Sequence, residues 1–143
     1  MIILVSACLL GVGCRYDGKS KADERITALM KQHTLIPVCP EVFGGLATPR
    51  PPAEIIGGRV LTVTGVDVTD NYTRGAHEAL RLAKLYGANI AILKERSPSC
   101  GSGLIYDGSF SRSLTDGDGI CARLLKENGI TVIGESELER YGF

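Results

Sequence analysis

The sequence predicts an α/β fold: a single domain over residues 1–143 with a mainly parallel, Rossmann-like β-sheet flanked by helices. Three observations carry that expectation. The chain has 143 residues, about the length of one domain. Short apolar, β-branched runs recur at 2–5, 34–38, 88–93 and 130–133, a pattern suited to strands covered on both faces. Segments with helical spacing of apolar residues lie between them.

Ile2-Ile3-Leu4-Val5 is the first strand, and it runs into the turn Gly11-Val12-Gly13. Asp23 can cap a helix to about Gln32, with Ile26, Leu29 and Met30 at core-facing spacing. Thr34 to Val38 is the second strand, which Pro37 places at a sheet edge or strand end. Residues 40–58 are punctuated by Gly44-Gly45, Pro49, Pro51-Pro52 and Gly57-Gly58. Such a stretch covers a site or contains short helices. Residues 59–63 read as a strand, paired as a hairpin with 54–56. A helix opens at Thr69 or Asn71, turns Ala76, Ala79, Leu80 and Ala83 inward, and stops at Gly87. Residues 88–93 form the clearest strand. A last helix over 117–128 and a last strand over 130–133 complete the alternation.

Composition narrows the function classes. Sixteen Lys+Arg balance sixteen Asp+Glu, so no overall basic charge invites nucleic acid. The apolar run from Met1 to Leu10 is too short to span a bilayer, and no Lys or Arg precedes Arg15 as a secretory signal requires. A cytoplasmic location, without membrane association, is therefore expected. Thiols stay mostly reduced there, so the five cysteines are expected to be metal ligands or reactive groups rather than disulfides. Neither a G-x-G-x-x-G turn nor a G-x-x-x-x-G-K-[ST] loop is present. Composition carries no signal for oligomeric state.

Cys8, Cys39 and Cys100 share a position type: each follows a predicted strand. In open α/β sheets, ligands bind beyond the carboxyl ends of the strands. Three parallel strands would bring three thiols to one edge, among Gly- and Pro-rich loops. No C-x2-C pair exists, so zinc-ribbon and bacterial ferredoxin spacings are absent. Three thiolates match a zinc site with an exchangeable fourth position, or a cubane cluster one ligand short of its usual four. A closed, non-catalytic iron–sulfur or zinc module with Cys14 as fourth ligand is the alternative. A metal-free thiol enzyme needs a base, and neither His33 nor His77 lies in a Cys-bearing loop. Cys121, in the last helix, is expected to pack as a small hydrophobe.

A set of segments sharpens the choice: Ser6-Ala7-Cys8-Leu9-Leu10-Gly11, Cys14-Arg15-Tyr16-Asp17-Gly18, Pro37-Val38-Cys39-Pro40-Glu41, Gly44-Gly45-Leu46, Pro49-Arg50, Gly65-Val66-Asp67-Val68-Thr69, Ser97-Pro98-Ser99-Cys100-Gly101 and Ile105-Tyr106-Asp107-Gly108-Ser109-Phe110. Through them the chain resembles the thiouracil desulfidase family, long catalogued as a domain of unknown function. The resemblance implies a [4Fe-4S] cluster held by Cys8, Cys39 and Cys100, with one iron left without a protein ligand. It also implies a non-redox desulfuration: the sulfur of a thiolated pyrimidine such as 2-thiouracil is replaced by the oxygen of water, giving uracil and sulfide. The implied partner is a small-molecule thiolated base or nucleoside. Nucleic acid is not expected without an extra module of the kind found in larger relatives that act on tRNA.

Residue chemistry beside the thiols supplies further expectations. Glu41, two residues past Cys39, is the candidate base or proton shuttle. Ser97 and Ser99 flank Pro98 before Cys100; one is expected to hydrogen-bond the pyrimidine or its sulfur, the other to satisfy the turn. Arg50 either anchors a substrate carbonyl or pins the Pro-rich loop. Asp17 and Asp67 are expected to organise turns, His33 and His77 to lie at the surface, and Lys94 to close a strand near the site.

Overall fold

A computed structural model describes residues 1–143. In chain order the elements are strand β1 (Ile2–Ser6), helix α1 (Glu24–Thr27), strand β2 (Thr34–Val38), helix α2 (Pro40–Phe43), strands β3 (Ala53–Ile56) and β4 (Arg59–Thr62), helix α3 (Thr69–Tyr86), strands β5 (Ile90–Leu93), β6 (Leu104–Tyr106) and β7 (Leu114–Asp116), helix α4 (Ile120–Glu127) and strand β8 (Thr131–Gly134). Short 3₁₀ turns fill in at Ala7–Leu10, Ala28–Lys31, Glu135–Glu137 and Glu139–Tyr141.

Four strands make one all-parallel sheet in the order β2-β1-β5-β8. The α/β architecture and its parallel sheet are thus as the sequence predicts. Alternate side chains enter two cores. Ile3, Val5, Ile92 and Ile133 pack with Leu9 and Ile26 on one face. Leu4, Ala91, Leu93 and Val132 meet Ala76, Ala79, Leu80 and Ala83 of α3 and Leu125 of α4 on the other. Burial on both faces is the reason these strands read as continuous apolar runs. β2 is an edge strand that pairs with β1 alone, which lets Pro37 occupy it without losing a ladder bond on the open side. The 53–56/59–62 hairpin forms as expected and is antiparallel.

Two expectations need correction. The helix expected from Asp23 to Gln32 is one α-helical turn, Glu24–Thr27, followed by a 3₁₀ turn. Asp23 does cap it, its Oδ1 accepting the Arg25 N–H at 3.0 Å. However, Ile26 is the single fully buried residue there, while Met30 is 60% exposed. One buried residue cannot hold a longer helix, and the tighter turn delivers the chain directly to β2. The β6–β7 hairpin was not expected at all: its three-residue strands are largely exposed and show no alternation.

The connection from β2 to the site depends on one close approach. Gly75 of α3 faces Pro40 at the start of α2, and a Cβ on Gly75 would overlap the Pro40 carbonyl. The backbone contact seats α2, and with it Cys39 and Glu41, against a rigid helix. Gly75→Ala is expected to cost about 1–3 kcal/mol through overpacking, read as a lower denaturant midpoint. An unchanged midpoint would show that α2 is not held by this contact.

Candidate active site

The chain leaves β1 for β2 on one side and returns to β5 on the other, so β1 and β5 frame a topological switch point. A crevice forms beyond the carboxyl ends of strands at such a point. Here it is a cleft of about 940 Å³ whose wall includes Cys8, Cys14, Cys39 and Cys100. Cys8 sits in the 3₁₀ turn after β1, Cys39 caps α2 after β2, and Cys100 ends the turn after β5. The three thiols expected to converge therefore come from three adjacent strands, each about 4.8 Å from the next. Cys121 lies fully buried on α4, outside the cleft wall.

All five cysteines are unpaired. Burial pushes the Cys100 thiol up to about 12. Contact with Cys14, reinforced by burial, raises Cys39 far above the ordinary thiol range. Cys39 draws Cys14 down, but Cys8 and burial together leave it raised. No imidazole lines the cleft to take a proton from a thiol. The metal-free thiol enzyme is thereby disfavoured. No three His, Cys, Asp or Glu groups close on a single point as one metal ion requires.

Glu41 stands in the first turn of α2 on the cleft wall. Its Oε1 accepts the Tyr72 hydroxyl at 2.7 Å and Arg50 Nε–H at 3.2 Å. The Arg50 side chain is only 6% exposed. It also donates through Nη2 to the Cys14 carbonyl at 2.8 Å and through Nη1 to Ala47 O and Thr48 Oγ1. Arg50 thus joins the Pro-rich loop, the Cys14 turn and Glu41 in one network. It pins the loop, the second of the two roles expected for it, and it also lines the cleft.

The two serines fall in different places. Ser97 lines the cleft, and its Oγ accepts the N–H groups of Ser99 and Cys100, each at 3.0 Å. Ser99 is fully buried behind that wall, and its hydroxyl has no hydrogen-bond partner. Such an orphan costs about 1–3 kcal/mol. Lys94 also lines the cleft, paired with Glu135 at 2.6 Å. Asp17 and Asp67 organise turns through the N–H groups of Lys19 and Thr69. His77 is exposed and His33 is half-buried, the latter accepting from the N-terminal amine.

Tyr72 escaped the sequence reading. It occupies the same buried stripe of α3 as Ala76, Ala79 and Leu80 and is 2% exposed. A phenol inside a stripe of alanines signals a buried hydroxyl that must find a partner, and that signal was available. Burial, then the Glu41 charge, pushes its ionisation well above the ordinary tyrosine range, so it remains a donor.

These features define a cysteine-walled cleft at the switch point of a parallel α/β sheet, with a hydrogen-bonded carboxylate at its side. The chain belongs to the 2-thiouracil desulfurase family, whose model matches residues 3–137. It is 48% identical to the uncharacterized protein YbbK of Bacillus subtilis (strain 168), over 96% of this chain and 97% of that protein. A solved structure described as the [4Fe-4S]-dependent thiouracil desulfidase TudS superposes with a TM-score of 0.92 at 48% identity, covering 96% of this chain and 93% of that one. The family resemblance drawn from the motifs is therefore shown.

Proposed function

We propose that this protein is a [4Fe-4S]-dependent desulfidase that converts thiolated pyrimidines of the 2-thiouracil type to uracil and sulfide without net electron transfer. The whole chain, 1–143, acts as one domain in this reading. The observation that carries it is the delivery of Cys8, Cys39 and Cys100 from three adjacent strands to one cleft.

The donor set fits the cluster. A cubane spreads its irons over separate corners, so its thiolates need not meet at a single point. Soft sulfur donors suit iron. Thiols held protonated by a neighbouring thiol and by burial, as at Cys39, or by burial, as at Cys100, become ligands once a cation compensates their charge. Cys8, Cys39 and Cys100 would hold it, and when bound it supplies a Lewis-acidic iron that polarises the thione sulfur.

The chain's own residues do the rest. Glu41 accepts a proton from the water that adds to the thione carbon, or returns one to the leaving group. Tyr72 and Arg50 fix its carboxylate in place. Ser97 shapes the turn that presents Cys100, and its hydroxyl is the nearer candidate for a contact to the pyrimidine. Ser99, fully buried behind the wall, is the second candidate for that contact. Arg50 orients a substrate carbonyl through the N–H not engaged within the protein. The partner is a free base or nucleoside, and nucleic acid is not expected without a further module. No helix is long and apolar enough to cross a membrane, and we place the protein in the cytoplasm, where thiols stay reduced.

Sulfide release from a panel of thiopyrimidines, with protein purified or reconstituted anaerobically, tests the reading. Release of sulfide and uracil in equal amounts is expected. A brown protein that turns over none of the panel would instead favour a non-catalytic iron–sulfur module.

A further inference from the structure

Glu54 is buried, at 8% exposure, on β3 where that strand forms part of the cleft wall. Its hydrogen-bond partners are backbone amides, not a cation. Oε1 accepts the N–H of Gly108 at 2.9 Å and that of Phe110 at 3.2 Å. A carboxylate tolerates burial only when such groups compensate it. Both amides belong to the loop 107–113 at the tip of the β6–β7 hairpin, far downstream in sequence.

Within itself the loop is closed by the Asp107 N–H to Ser113 carbonyl bond at 2.9 Å and by the Asp107 carboxylate accepting the Ser109 N–H at 2.9 Å, while Glu54 is what bonds it to β3. Phe110 and Arg112 have φ of 55° and 62°, in the left-handed region that bulky side chains disfavour. The hydroxyl contacts along it, from Asp107 through Ser109 and Ser111 to Ser113, are exposed. The loop is nevertheless pressed onto β3. Gly108 has φ of 94°, and a Cβ there would lie 2.8 Å from Ile56 Cγ1 and 2.9 Å from the Ile55 carbonyl. Hydrogen bonds and close packing therefore tie the loop to the same short strand. The tied loop contributes the half-buried Phe110 ring to the cleft wall, opposite in character to the thiols.

We propose that Glu54 is a positioning residue: it latches the 107–113 loop to β3 and so sets Phe110 as the flat apolar surface against which the pyrimidine ring is held. The inference rests on the desulfidase reading and names a group that governs how the ring is seated. A ring has two apolar faces and a polar edge, and an aromatic wall holds it by a face. The edge, with its thione, is then left free to turn toward the thiols. Loss of the latch loosens ring binding more than it affects the chemistry on rings that do bind.

The test uses the anaerobically purified holoenzyme with 2-thiouracil. Glu54→Ala is expected to raise KM about ten-fold while kcat falls less than about three-fold. Hydrogen exchange in the peptide spanning 105–113 should accelerate. Glu54→Gln keeps an acceptor oxygen and should recover both KM and exchange protection. Phe110→Ala should reproduce the KM rise. The proposal is overturned if Glu54→Ala leaves KM unchanged in an enzyme whose parent turns over, or if exchange in 105–113 does not respond. If Glu54→Ala does not fold, an unchanged KM in Phe110→Ala is enough to overturn it. A parent that desulfurates no thiopyrimidine instead overturns the functional reading, and the exchange data still report on the latch.

Discussion

Replacing Cys8, Cys39 or Cys100 by serine, one at a time, is expected to remove the bound iron and with it all sulfide release. The parent should carry about four iron atoms per chain if a cubane is bound. Each variant leaves only two of the three proposed ligands, too few to hold a cluster against water in an open cleft. Cys14→Ser is the informative contrast. The Cys14 thiol touches Cys39 and Cys8, but the group engaged by the network around Glu41 is its backbone carbonyl, which accepts Arg50 Nη2–H. Serine keeps that carbonyl. Iron and activity should therefore survive Cys14→Ser, as measured by iron and acid-labile sulfide analysis. Loss of iron in that variant would instead make Cys14 a ligand and close the site to substrate.

Glu41→Gln should retain iron yet lower sulfide release from 2-thiouracil by about 10²–10⁴-fold, the usual contribution of a positioned acid–base group. Unchanged turnover would remove Glu41 from the mechanism. Tyr72→Phe is the companion variant, because it deletes the 2.7 Å bond to Glu41 and leaves the carboxylate itself. It should reduce turnover by about ten-fold and cost about 1 kcal/mol of stability, the net worth of one such bond. The pH dependence is specific in sign. The Tyr72 ionisation is raised in the folded protein by burial and by Glu41. Its stabilising contribution is therefore full below the unfolded tyrosine value of about 10 and declines as pH rises beyond it. The stability difference between parent and Tyr72→Phe should accordingly shrink in alkali. A difference that stays constant above that pH would show that the hydroxyl is not buried against a charge.

Several features were legible before any coordinates. Strands β1, β5 and β8 announced themselves as continuous apolar runs, because a parallel sheet covered on both faces removes the need for alternation. The inner face of α3 followed from helical spacing, and its end from Gly87. The position of Cys8, Cys39 and Cys100 just past strands was likewise visible, as was the motif set that marks the family. Where local pattern was weak, expectation failed. The α1 region had the spacing of a longer helix but only Ile26 to bury. The β6–β7 hairpin buries Ile105 alone and is otherwise held by pairing and by Glu54.

The primary structure by itself determined the alternation of strands and helices, the supply of thiols at strand ends and the family, since each is written in local periodicity or in short ordered motifs. Tertiary structure alone decided that β1 lies between β2 and β5, so that three distant cysteines share one cleft. It also decided that Tyr72 and Arg50 meet on one oxygen of Glu41, and that Glu54 reaches the amides of Gly108 and Phe110. The physical reason is that side-chain periodicity reports which face of an element is buried. Hydrogen bonds between groups tens of residues apart depend on strand order and on how closely one backbone can approach another.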